Sequence, residues 1–335
     1  AAGVGIALVA ATLVAVLSRR ADPAIRVLLV VAGILSLLVA AMLTWLYPAL
    51  VPLAGTATVA VLSVFIACTR SNSRPGWVAA TYGYALLVLA GCLGNAGIDG
   101  VAQLCVTASA GLAVAIIATY LTRVGARSWQ AVLIVAALPF AIAVAQVTVQ
   151  RSGWTALSTA VMFALAFTLT LTRRPGLTLL VRTAAAALLV PTLAVVAVCL
   201  GAEILAQSGS PVVLPVIAVL VALVLPNTDA LRRLLIARGR GARAAEAARL
   251  ALEASTLVTA AITVGLSFAR EAAGLSTACL VLVILGAGFI VTGALGGRRY
   301  GWWLAGASFT GALWSVWGMA GVTLVEAYLL PPALG

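Results

Sequence analysis

The chain has 335 residues, of which 64% are hydrophobic and only 8% charged. Soluble domains carry about a quarter of their residues as charges, so this composition excludes a soluble globular protein and points to a lipid-embedded one. The twenty basic residues are all arginine and face eight acids, for a net charge of +12. Histidine is absent, which removes histidine metal sites, Ser-His triads and histidine proton relays. Such a charge could read as nucleic-acid binding, but arginine flanking apolar runs reports orientation and anionic headgroup contact instead. No nucleic-acid partner and no cofactor is expected.

A span needs about 20 apolar residues, and the runs fit twelve of them, giving an all-α polytopic bundle with short loops. In chain order they cover roughly 1–18, 27–47, 50–69, 77–93, 101–122, 129–149, 154–172, 183–205, 211–226, 250–269, 274–295 and 302–325. Hydropathy thus divides the chain into a bundle over 1–226, a basic interfacial segment over 227–249 and a second bundle over 250–335. Ala1 already lies inside an apolar run and Pro331 to Gly335 resembles the start of another, so a segment of a longer protein is expected.

The gaps between runs alternate in charge. Eighteen arginines fall in every second gap, beginning with Arg19, Arg20 and Arg26; only Arg151 and Arg270 lie in the others. Because cationic loops stay cytoplasmic, the reading puts both ends of the segment on the non-cytoplasmic side of a bacterial plasma membrane. The ninth run is short and carries Pro211, Pro215 and Pro226. Only its crossing keeps the later arginines on the inner side.

Several polar groups interrupt the apolar pattern. Thr192, Cys199, Glu203 and Gln207 share one stripe of the eighth run, and a carboxylate at hydrocarbon depth costs about 3 kcal/mol unless paired or wetted. Glu203 is therefore the first candidate for a substrate or coupling site. In the tenth run Glu253, Thr256, Thr263 and Ser267 share a face, either a polar path or a helix-packing surface. In the twelfth, Trp314 and Trp317 could stack on a ligand, with Glu326 at the outer mouth, while Ala307, Gly311, Ser315 and Gly318 offer a small packing face. Arg232, Arg233, Arg238, Arg240 and Arg243 suit the headgroups of the anionic inner leaflet. The five cysteines read as small buried residues, with a Cys92–Cys105 bond left open.

The terminal stretch, Arg298-Arg299-Tyr300-Gly301-Trp302-Trp303 through Val325-Glu326-Ala327-Tyr328-Leu329-Leu330-Pro331-Pro332-Ala333-Leu334, resembles part of large, Ala-rich actinobacterial membrane proteins often labelled permeases. The resemblance implies many spans and a longer parent chain, and carries no catalytic residues. The expected activity is transport, along a polar path near the eighth, tenth and twelfth runs. A non-transporting envelope scaffold or assembly factor with envelope protein partners is the alternative. An enzyme on lipid-linked substrates would need Asp99, Glu271, Glu326 and Arg151 to converge.

Overall fold

A computed structural model describes all residues except 1, 19–21, 69–73, 99, 148–151, 175, 205–211, 270–273, 324–327 and 329–335. The described residues are helical, with no strand among them. The thirteen α-helices are α1 (Ala2–Ser18), α2 (Pro23–Leu46), α3 (Thr56–Cys68), α4 (Arg74–Asn95), α5 (Gly100–Tyr120), α6 (Ala126–Val147), α7 (Gly153–Leu171), α8 (Leu179–Ile204), α9 (Val213–Val224), α10 (Thr228–Ala237), α11 (Ala242–Ala269), α12 (Gly274–Gly296) and α13 (Arg299–Met319). Lipid offers backbone groups no partners, and a helix satisfies them internally.

Among the described residues each of the twelve expected runs contains an α-helix, the last ending at Met319, and α10 is a further one. Among the described residues nine segments are long and apolar enough to cross a membrane, or ten if the bent pair α9–α10 is one span. This is the architecture of a multi-pass membrane protein. Helix α1 is shorter, at 17 residues. Helix α13 has the length, but Arg299, Tyr300 and four tryptophans dilute its apolar character.

The chain packs as two compact units: Ala1–Gln150 with Arg174–Gly176, and Arg151–Arg173 with Leu177–Gly335. In the first, Val4, Leu8, Ala11 and Ala15 recur at helical spacing on α1 and join Leu37, Ala40, Val61 and Phe65 in one core. Phe65 stacks on Trp77 with centroids 4.8 Å apart. Gly33 admits that ring, since a Cβ there would lie 2.7 Å from Phe65 Cζ. A 3-10 turn at Pro48–Leu50 and a π-helical turn at Val51–Gly55 lead into α3. The Asn95 amide donates to the Pro48 carbonyl at 2.7 Å.

The second unit is built around α11, which packs on α8, α9, α10 and α12; α12 in turn carries α13. Glycine lets these helices close: a Cβ at Gly288 would sit 2.6 Å from Ala222 Cα, and one at Gly301 2.7 Å from the Gly293 nitrogen. Such small-residue seams bring helix backbones into contact where lipid gives no hydrophobic driving force. The buried face of α13 is Gly301, Ala305, Ser308, Ala312 and Ser315. It shares Ser315 with the small face expected from sequence, whereas Ala307 is exposed.

Hydropathy separates 227–249 from the next span, but α11 runs unbroken from Ala242 through that boundary. Its first turns are rich in alanine, the best helix former, and carry Glu246, Arg249 and Glu253 at the spacings that let side chains pair.

Candidate functional site

The chain bends by 48° between α9 and α10. Pro226 at this break has no N–H to continue the helix. At the break the carbonyl of the fully buried Leu225 accepts from the Thr228 hydroxyl at 3.1 Å and from Arg298 Nη1 at 3.3 Å. Arg298 precedes α13 directly, so one guanidinium ties the broken helix to the start of α13.

Arg298 is also part of a six-charge network. Its Nη1 lies 3.3 Å from Glu253 Oε2 and its Nη2 3.1 Å from Asp229 Oδ2, the latter a charge contact without an aligned hydrogen bond. Arg249 donates to the same Glu253 Oε2 and to Glu246 Oε1 at 2.6 Å, and stands 3.7 Å from Asp229. Arg232 completes the set, 3.0 Å from Glu246 Oε2. The Tyr300 hydroxyl donates to the other oxygen, Glu253 Oε1. Three arginines therefore face three carboxylates, and their charges cancel.

Depth differs across the network. The side chains of Glu253, Arg298 and Arg249 are 9%, 10% and 13% exposed, while Asp229, Glu246 and Arg232 are about 40% exposed. The inner three are held in low dielectric, where breaking a pair strands a charge. The outer three are solvent-screened and contribute little each. The network joins α10, α11 and α13, so these helices can part only if it opens.

Beyond Glu253 the buried face of α11 continues through Thr256, Thr259, Thr263 and Ser267. Each hydroxyl donates to a carbonyl of its own helix: Thr256 to Leu252 at 2.6 Å, Thr263 to Thr259 at 2.7 Å, Ser267 to Val264 at 2.7 Å. Their donors are spent, and their oxygens can still accept. Thr192 on α8 behaves alike, bonding Leu188 at 2.6 Å.

Glu203 stands apart from Glu253's network. It is exposed, and its Oε2 accepts from the Gly153 nitrogen at 3.1 Å. That places a carboxylate on the first turn of α7, where free N–H groups and the helix dipole favour an anion. The buried Cys199, one turn earlier, takes the Thr155 hydroxyl at 3.2 Å, so the two contacts pin the end of α8 to the start of α7. A cavity of about 380 Å³ between α8 and α9 is lined by Leu193, Val196, Leu200, Val213 and Val216 and offers no polar side chain. Trp314 is 40% exposed, and Trp317 meets Tyr328 edge-on at 5.6 Å; neither joins the network. Gln207 and Glu326, like Asp99, Arg151, Arg270 and Glu271, lie outside the described residues.

The five arginines assigned to headgroups divide. Arg233, Arg238 and Arg243 are exposed, while Arg232 turns to Glu246 and Arg240 is partly buried, its Nη2 3.4 Å from the Leu171 carbonyl. In the first unit Arg174 is likewise structural. It lies 4.7 Å over the ring of the fully buried Trp129 and donates to the carbonyls of Ala118, at the end of α5, and Val124. A cation there suits the negative end of the helix.

Sequence reading named Glu253 and Arg232 but missed Asp229, Glu246, Arg249, Arg298 and Tyr300. The spacing of Glu246, Arg249 and Glu253 was the available signal; nothing local reveals that Arg298 returns to meet them. Comparison with family models, curated proteins and solved structures returned no match for this chain.

Proposed function

We propose that this chain is a permease-like protein of the bacterial plasma membrane, and that the Glu253 network is the inner closure of a substrate path along α11. The carrying observation is a buried carboxylate bound by two arginines and a phenol, at the foot of a buried hydroxyl-bearing face. Hydrophobic residues of similar volume would join three helices at no greater cost. Charges are the better choice where an interface must separate, be wetted and re-form, and ionisable groups at membrane depth mark such paths. Glu253 replaces Glu203 as the coupling acid, because the Glu203 carboxylate is committed to α7. The exposed Arg233, Arg238 and Arg243 meet the anionic inner leaflet in this orientation.

The test is uptake by proteoliposomes of labelled amino acids, sugars, nucleosides and inorganic cations. Uptake by the wild type that falls about tenfold or more in Glu253→Gln, but survives Glu203→Gln, supports the reading. Folded protein that moves none of them contradicts it.

The second reading is a non-transporting envelope scaffold or assembly factor. It is favoured by the hydroxyls of Thr256, Thr263 and Ser267, which bond within their own helix and ask for no water. It expects stoichiometric envelope proteins in a pulldown and inert proteoliposomes.

A further inference from the structure

A second group of arginines in the same unit is paired with no acid among the described residues. Arg173 follows the end of α7, Arg182 sits in the first turn of α8, and Arg240 lies in the turn between α10 and α11. The packing that gathers them is explicit. Ala186, one turn beyond Arg182 on the same face of α8, shares a buried cluster with Leu235 of α10, Ala245 and Ala248 of α11, and Leu171 of α7. Helix α10 ends with Gly239 at φ +73°, its nitrogen bonded to Ile236 and that of Arg240 to Leu235. This glycine cap turns Arg240 back onto the Leu171 carbonyl, 3.4 Å from its Nη2. A Cβ at Gly239 would lie 4.0 Å from Arg173 Nη2, which places the third guanidinium beside the same turn.

Arg173 is exposed, but Arg182 and Arg240 lack full compensation. Arg182 is 92% buried, being only 8% exposed, and its Nε has no hydrogen-bond partner among the described residues; the buried Nε of Arg240 has none either. No ion pair among the described residues involves Arg173, Arg182 or Arg240. Burial, and then the charges of Arg182 and Arg173, push the Arg240 guanidinium down. Three cations at one corner, two with idle buried donors, are complementary to an anion with several acceptor oxygens in a compact shape. Guanidinium forks match phosphate in this way.

We propose that Arg173, Arg182 and Arg240 form a phosphate-binding site at the junction of α7, α8 and the α10–α11 turn, which takes a phosphate monoester or diester. The phosphate can belong to a lipid headgroup or be free in solution; the recognition chemistry is shared. The site is independent of whether the bundle transports anything.

The experiment uses the whole chain in phosphatidylcholine nanodiscs, with two probes: short-chain phosphatidic acid, followed by native mass spectrometry, and inorganic phosphate, followed by thermal shift. Retention of phosphatidic acid by the wild type, weakened on the order of tenfold or more in Arg182→Gln and Arg240→Gln but not in a variant of the exposed Arg299, Arg299→Gln, supports the site with a lipid source. Stabilisation by inorganic phosphate with the same dependence supports it with a free source. Should Arg182→Gln fail to fold, Arg240→Gln and Arg173→Gln decide the matter. Binding of neither probe by folded wild type, or equal loss in Arg299→Gln, overturns the proposal.

Discussion

Two charge clusters meet at α10 and α11, and they are built on opposite principles. Around Glu253, three arginines are answered by Asp229, Glu246 and Glu253 itself. Around Arg182, three arginines meet no acid among the described residues. The first cluster is complete within the chain and acts as a fastener. The second leaves the buried Nε of Arg182 and of Arg240 without a partner among the described residues. Burial alone does not distinguish them, since Arg182 and Arg298 have similarly low exposure; compensation does.

The largest expected effect comes from breaking the complete cluster. Arg298→Leu takes from Glu253 one of its two arginines, leaves Asp229 with only its 3.7 Å contact to Arg249 and removes the guanidinium from the Leu225 carbonyl, and should destabilise the second unit by about 3 kcal/mol. Unfolding in detergent, followed by circular dichroism, reads this directly. The same substitution in the other cluster should change sign. Arg182→Leu removes an uncompensated buried charge, so in detergent free of phosphate and anionic lipid it should stabilise by about 1 kcal/mol. Destabilisation by Arg182→Leu under those conditions would erase the proposed contrast.

The exposed rim of the complete cluster should be weak. Arg232→Gln removes a pair with both side chains about 40% exposed, and a loss below about 1 kcal/mol that vanishes in high salt is expected. A salt-independent loss as large as that of Arg298→Leu would mean the rim carries the network. Smallest is Glu203→Gln, which weakens a dipole contact to α7 but keeps an acceptor for the Gly153 nitrogen; a few tenths of a kcal/mol is expected.

Helix positions were legible because lipid imposes length and composition on every span, and the runs placed α1, α2, α4 to α9 and α12 to within about four residues, while α11 begins eight residues before the run that marks it. The join between α10 and α11 was less so. Hydropathy marks where lipid contact ends, while Arg249 and Glu246 continue the helix beyond it through side-chain pairing. The network stayed hidden because Arg298 carries the same sequence signal as any sidedness arginine. Only packing shows that it turns inward to Glu253 while Arg243 faces out. Glu203 and Glu253 were both visible as carboxylates inside apolar runs. Their difference, one on a helix terminus and one between two arginines, depends on neighbours distant in sequence.

The central claim is that the Glu253 network closes a path along α11, and the most direct measurement is labelling of Thr256→Cys by a membrane-impermeant maleimide in inside-out vesicles. Thr256 is fully buried and less than one turn beyond Glu253. In the otherwise wild-type chain labelling should be slow, and in the Arg298→Leu background it should rise about tenfold or more, since losing about 3 kcal/mol of closure shifts an opening equilibrium by roughly two decades. An unchanged rate in folded Arg298→Leu protein would contradict the account and leave the network as a static fastener.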